Sequence, residues 1–177
     1  MKKLPLGLCT ALICAGASFL PMSANAMLPL MQADAGYNYN TAKDGLHSAH
    51  IEIAPWKKFV VGAEYRHWNN NGNEADIYAK YRIGHVYVGL GNRNYINDQS
   101  KVYGLIEGKT KLVGPLGAYA GVKLSERERE YKVGLQLDLI PSSFDLDFNY
   151  TYFDKKDNEK NPKGFGFGLN YLSLIHI

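Results

Sequence analysis

The sequence predicts an all-β chain folded as a transmembrane antiparallel up-and-down β-barrel, on three observations. First, Leu116, Ala118, Ala120, Val122 and Leu124 alternate with Gly117, Tyr119, Gly121 and Lys123; Tyr131 to Leu139 and Phe144 to Tyr152 repeat the pattern. A period of two gives each strand one apolar and one polar face. Second, these runs span nine to eleven residues, the length a tilted strand needs to cross a bilayer, whereas strands of soluble proteins are mostly nearer five or six. Third, tight turns alternate with longer polar links along the chain, as they do in barrels with short turns on one rim and loops on the other.

The chain divides into three parts: a signal peptide (1–26), a barrel (27–171) and a short tail (172–177). Lys2 and Lys3 form a positive n-region, Leu6 to Leu20 an apolar h-region, and Ala24-Asn25-Ala26 a small-x-small cleavage site. Cys9 and Cys14 lie inside that segment, so the mature chain is expected to hold no disulfide and no cysteine metal site. Removing Lys2 and Lys3 from the 20 basic residues leaves 18 against 17 acids. That near-neutral balance gives no support for nucleic-acid binding. No later segment is apolar for 18 residues, so an exported chain is expected either to stay soluble or to insert as a barrel.

Residues 27–34 show no clear period and are expected to be a lead-in. Strands follow near Ala35–Thr41, Leu46–Ala54, Lys58–Trp68, Ala75–Ile83, His85–Tyr95 and Lys101–Val113, and a last one near Gly164–Tyr171. With the three above they make ten; eight and twelve are the neighbouring even counts that a single-chain barrel closes with. Pro55-Trp56-Lys57, Ile83-Gly84-His85, Gly114-Pro115 and Ile140 to Ser143 read as the tight turns; Lys43 to Gly45, Asn69 to Glu74, Ile96 to Ser100, Ser125 to Glu130 and Lys155 to Lys163 read as the polar loops. On this frame Tyr39, Tyr65, Tyr131, Tyr152 and Phe165 face outward at the loop rim, and Phe59, Tyr81, Phe144 and Tyr171 outward at the turn rim. Two aromatic girdles are a membrane signature.

Residues 1–171 therefore resemble a small Gram-negative outer-membrane β-barrel protein. The last strand, Gly164-Phe-Gly-Phe-Gly-Leu-Asn-Tyr171, resembles the C-terminal insertion signal of such proteins, matching at Gly168 and Tyr171, with Ser173 where the terminal aromatic would fall. Leu172 to Ile177 resemble a translated sequencing adapter and are expected to be non-native. The resemblance is to the class, without a subfamily. It implies an outer-membrane location, contact with outer-membrane lipid and lipopolysaccharide, and passage through the barrel-assembly machinery.

No enzyme motif emerges: there is no G-x-S-x-G elbow, P-loop or H-E-x-x-H, and Gly164-Phe-Gly-Phe-Gly lacks dinucleotide-fingerprint spacing. No catalytic residue, cofactor or metal is expected. His50 and Glu52 share the inward face and are expected to form a lumen hydrogen-bonded pair, while Asp145 and Asp147 are expected to be salt-bridge partners rather than a catalytic dyad. The informative constellation is the set of inward charges: His50, Glu52, Glu64, Arg66, Lys80, Arg82, His85, Glu107, Lys109, Lys111, Lys123, Lys132, Asp138, Asp145 and Asp147. Lys80, Arg82, His85, Lys109 and Lys111 are expected to face Asp138, Asp145 and Asp147 across the turn half, pairing to close a narrow lumen.

The leading expectation is thus a structural or interaction barrel with an ion-paired lumen. Its alternatives are a narrow porin-like channel for a small anionic solute, a barrel enzyme acting on lipid or peptide, and a soluble periplasmic lipocalin-like barrel with the opposite parity.

Overall fold

The computed structural model describes residues 31–69, 72–95, 100–140, 144–156 and 161–175. Ten strands run in order: β1 (Met31–Asn40), β2 (Leu46–Trp56), β3 (Phe59–Trp68), β4 (Gly72–Ile83), β5 (Val86–Tyr95), β6 (Lys101–Val113), β7 (Leu116–Ser125), β8 (Glu128–Ile140), β9 (Phe144–Lys155) and β10 (Lys163–Ile175). Each pairs antiparallel with its sequence neighbours, and β1 pairs with both β2 and β10, so the sheet closes on itself. Closure leaves no unpaired edge, which is what a β-structure surrounded by lipid requires.

Side-chain polarity is the reverse of a soluble core. Ile77, Leu90, Val102, Val133, Leu135, Phe148 and Phe167 are exposed on the outer face, while Asn40, Arg66, Asp76, Lys80, Arg93, Glu130, Asp147 and Asn149 are buried within. A lipocalin-like barrel would place its apolar residues inside, and this chain does not. Rings stack around the outer wall at both rims: Tyr131 with Tyr152 (6.2 Å) at the loop rim, Phe144 with Tyr171 (4.9 Å) at the turn rim.

Four boundaries differ from the sequence reading; one is the Asn69 to Glu74 loop, which ends early because β4 begins at Gly72 and pairs there with Trp68, and the other three are these. The first tight turn falls at Lys57-Lys58, because β2 continues through Pro55 and Trp56 with a register irregularity between Ile53 and Trp56. A proline is tolerated at such a bulge, where the ladder is already interrupted, and Trp56 joins the turn-rim aromatics at 5.8 Å from Phe59. Second, Met31–Asp34 are not a lead-in: they form the start of β1 and pair with Leu172–Ile175 at the end of β10. The seam pairs by backbone, which has no need of side-chain alternation. Third, the Ser125 to Glu130 loop is shorter than expected, since β8 begins at Glu128. Gly84 and Gly114 open the next two tight turns with φ of 62° and 58°, where other residues would be strained. The expected turn at Pro141 to Ser143, the signal peptide, and residues 96–99 and 157–160 of the loops that begin at Ile96 and Lys155 lie outside the described residues.

Inward glycines seat tyrosine rings. A Cβ on Gly62 would stand 2.5 Å from the Tyr78 ring, and one on Gly134 2.6 Å from the Tyr119 ring. The rings thus lie flat against the neighbouring strand and fill the lumen.

The polarity has a direct test. Leu135→Arg, mid-strand on the outer face, is expected to lower folding stability in lipid vesicles by about 2–4 kcal/mol. Gln136→Ala, one residue away on the inner face, is expected to be mild by comparison in the same denaturant titration.

Candidate functional site: an ion-paired lumen

The loop half of the lumen is crossed by a network of buried ion pairs. Arg66 on β3 grips Glu130 of β8 with both terminal nitrogens, at 2.9 and 3.1 Å, and donates to Glu64 at 2.9 Å. Arg93 on β5 is forked onto Asp76 of β4, at 2.8 and 2.9 Å, and reaches Glu130 at 3.0 Å and Glu128 besides. Lys123 on β7 donates to Glu64 (2.8 Å) and Asp76 (3.3 Å). Such forked Arg–carboxylate contacts are the strong, geometrically specific kind. The network ties β3, β4, β5, β7 and β8 together, and the Arg66–Glu130 and Lys123–Glu64 pairs span the barrel's interior.

An apolar cap sits above it. Ala42, in a one-turn 3-10 helix after β1, packs with Leu46, Trp68 and Phe153. The Trp68 and Phe153 rings meet edge to face at 5.1 Å. Trp68 donates its indole N–H to Glu74 (3.0 Å), whose other oxygen lies 3.8 Å from both Arg66 and Arg93. Cap and network are therefore one unit.

Toward the turn rim the lumen is more exposed. A cavity of about 160 Å³ runs along the lumen, lined by Asp34, His50, Glu52 and Lys109 toward the turns and by Arg66, Glu130, Leu46 and Phe153 toward the loops. Lys80 is held by Glu52 (2.7 Å) and Glu107 (3.3 Å), with Tyr78 also donating to Glu52. Lys109 pairs with Glu107 at 3.0 Å, and Lys132 approaches Asp147 at 3.6 Å.

The partners differ from those expected of these residues. His50 does not meet Glu52; its Nε2 lies 3.2 Å from Asp34 Oδ1. The neighbouring strand supplies the closer carboxylate: Asp34 pairs in register with Glu52, and His50 with Gly36, so Asp34 stands diagonally beside the imidazole on the inner face. Asp147 is satisfied chiefly by Tyr119, whose hydroxyl reaches its two oxygens at 2.7 and 2.9 Å, and Asp145 by Asn170 at 2.6 Å. Of the expected pairing across the turn half, only Lys111 and Asp138 meet among the described residues, at 3.8 Å with the lysine 85 % exposed. Arg82 and His85 sit exposed at the turn rim. In the turn half Lys80 and Lys109 find carboxylates on their own or nearby strands, at Glu52 and Glu107, before the acids of β8 and β9.

Glu74, Asp76, Arg93, Glu128 and Glu130 were not singled out by the sequence reading. Asp76 and Arg93 carry the same parity signal as Lys80 and Gly91. Glu128 and Glu130 continue backward the alternation of Lys132, Gly134 and Gln136, but inside a charge run that reads as a solvated loop.

No family model and no curated protein matches the sequence. Among solved structures the chain is similar to the KdgM porin, with a TM-score of 0.52 at 9% identity over 78% of this chain and 98% of that one. The KdgM porin in complex with disordered oligogalacturonate matches with the same TM-score and coverage at 8% identity. The N-terminal β-barrel domain of Pseudomonas aeruginosa OprF aligns with a TM-score of 0.44 at 12% identity, over 80% of this chain and 97% of that one. At these identities the likeness is one of fold, that of outer-membrane β-barrels.

Breaking the network from one side leaves a buried charge without its partner. Glu130→Ala is therefore expected to destabilise the folded barrel by about 3–5 kcal/mol, read by urea unfolding in detergent. In a double-mutant cycle with Arg66→Met the combined loss is expected to fall well short of the sum of the single losses.

Proposed function

We propose that the chain is a structural or interaction barrel of a Gram-negative outer membrane, exported by its N-terminal segment, with its lumen closed as a conduit and its loop rim turned to the outside. In this reading its working contacts are lipid and lipopolysaccharide around the wall, the assembly machinery during insertion, and whatever the loops engage; the lumen carries no catalysis. One observation supports it above the others: the ion-pair network from Arg66 and Arg93 to Glu130, capped by Trp68 and Phe153, crosses the loop half with buried side chains. A barrel of this size is only slightly wider than one that side chains fill completely.

The second reading is a narrow pore for small anionic solutes. It draws support from Lys109 and Lys111, which are 42 % and 85 % exposed at the turn end, and from the open space beside them. A small anion entering there would next meet the network, where the carboxylates Glu64, Glu74, Asp76, Glu128 and Glu130 outnumber Arg66, Arg93 and Lys123. That excess of negative charge opposes the passage of an anion.

Planar-bilayer recording separates the two. The wild-type protein is expected to conduct little, and Glu128→Gln with Glu130→Gln, which removes the carboxylates that hold Arg66 and Arg93 across the lumen and cancels the network's excess of negative charge, to become leaky and to lose its opposition to anions. Steady, discrete conductance steps in the wild type would reject the closed barrel. On fractionation the protein is expected with outer membranes, with heat-modifiable migration on gels; recovery in a soluble periplasmic extract would reject the location.

A further inference from the structure

Two histidines stand side by side on the outer wall, away from the lumen. His47 on β2 and His67 on β3 are directly opposed in register, so both project outward from adjacent strands with Cβ atoms at the separation of a cross-strand pair. Their ring centroids are 6.3 Å apart, with the planes inclined by 34°. Both lie one pair below the loop end of the β2–β3 ladder, where Leu46 meets Trp68. That depth is the interfacial rim, wet enough for an ion to arrive.

Each ring is held through its Nδ1. His67 Nδ1 lies 2.5 Å from the Asn73 side-chain oxygen; an amide oxygen only accepts, so Nδ1 carries the proton and Nε2 keeps its lone pair. His47 Nδ1 lies 2.6 Å from the Tyr37 hydroxyl; a phenol both donates and accepts, and a metal at Nε2 takes the tautomer in which Nδ1–H donates to the phenol oxygen. Nδ1 held by a neighbour and Nε2 left to bind is the arrangement of metal-ligating histidines. The Tyr39 ring, 5.0 Å from His47, packs against the same imidazole and restricts its rotation.

We propose that His47 and His67 form a chelate for a divalent transition-metal ion on the outer wall, with solvent completing the shell. Among the described residues no group of three or more metal-binding side chains occurs, so the site has two protein ligands. Imidazole ligands suit copper(II), nickel(II) and zinc(II), with copper(II) held tightest. Nitrogen–metal bonds of about 2.0–2.1 Å bring two ring centroids to about 5 Å at a tetrahedral angle and about 4.5 Å at the right angle of a tetragonal copper(II) shell. The two rings therefore close by about 1–2 Å on loading, through side-chain rotation.

Copper(II) chloride titrated into the detergent-folded barrel tests this, followed by calorimetry and by electron paramagnetic resonance. The expected result is a saturable one-equivalent phase whose spectrum carries nitrogen coupling. His47→Gln and His67→Gln should each abolish that phase, and His50→Gln, which alters the lumen imidazole, should leave it intact. Tyr37→Phe, which removes the partner of His47 Nδ1 and keeps both ligands, should weaken binding by roughly tenfold or more. Heat-modifiable migration reports whether each variant has folded; His67 is exposed and, among the described residues, its side chain is hydrogen-bonded to Asn73 of its own hairpin, so His67→Gln decides the matter if His47→Gln does not fold. A wild-type protein without a saturable phase, or a phase that survives His67→Gln, overturns the proposal, and loss of the phase in His50→Gln alone assigns the copper to the lumen instead.

Discussion

A polar group buried inside this barrel needs a partner, and among the described residues the buried side-chain atoms left without a hydrogen bond are Glu74 Oε2 and the Tyr103 hydroxyl. That constraint organises the rest of the structure. Removing Arg66, Arg93, Glu130 and Asp76 from bulk solvent costs several kcal/mol per ion before any attraction is counted. The cost is offset because each guanidinium is forked onto one carboxylate and shares another: Arg66 and Arg93 meet on Glu130, and Asp76 is shared by Arg93 and Lys123. A network of this kind is favourable only when whole. It therefore holds β3, β4, β5, β7 and β8 at one mutual spacing, and the closed loop half follows from that spacing.

The tyrosine–glycine pairs do the corresponding work for shape. Tyr78 lies over Gly62 and Tyr119 over Gly134, positions where even a methyl group would collide with the ring. Flat against the wall, the two rings bring their hydroxyls to Glu52 at 2.7 Å and to Asp147 at 2.7 Å. Glycine without a side chain and tyrosine with a long one thus fill the lumen together, while each hydroxyl satisfies a carboxylate that has left bulk water. Lumen packing and lumen electrostatics are in this respect the same contacts.

The strand plan was legible in the sequence because membrane strands leave no ambiguity of period: Tyr131 to Leu139 and Phe144 to Tyr152 each alternate without a break. Inside and outside were legible too, from glycine and charge on one face and aromatics on the other. What could not be read was who meets whom. Parity puts His50, Glu52 and Lys80 in the lumen, yet only the register between strands brings Asp34 to His50 and Glu107 to Lys80. The charge run Ser125-Glu-Arg-Glu-Arg-Glu130 hid two network acids, because Arg129 on the outer face at the loop rim is as polar as Glu128 and Glu130 on the inner. Alternation is visible only where the two faces differ. At the β1–β10 seam backbone pairing extended both strands beyond the reach of any side-chain period.

The asymmetry of the lumen also bears on where this barrel can meet other molecules. Its loop half is crossed by forked ion pairs beneath an aromatic cap, and its turn half is open, with Lys111 and Asp138 only loosely paired at 3.8 Å. Histidine shows the same division along one strand: His50 is drawn inward to Asp34, whereas His47, three residues earlier and of opposite parity, stands outside against Tyr37 and Tyr39. An inward polar side chain here is spent on closing the barrel. An outward one at the loop rim, beyond the apolar band and facing solvent, keeps its chemistry for contacts outside the chain, and recognition is therefore sought on the rim and outer wall.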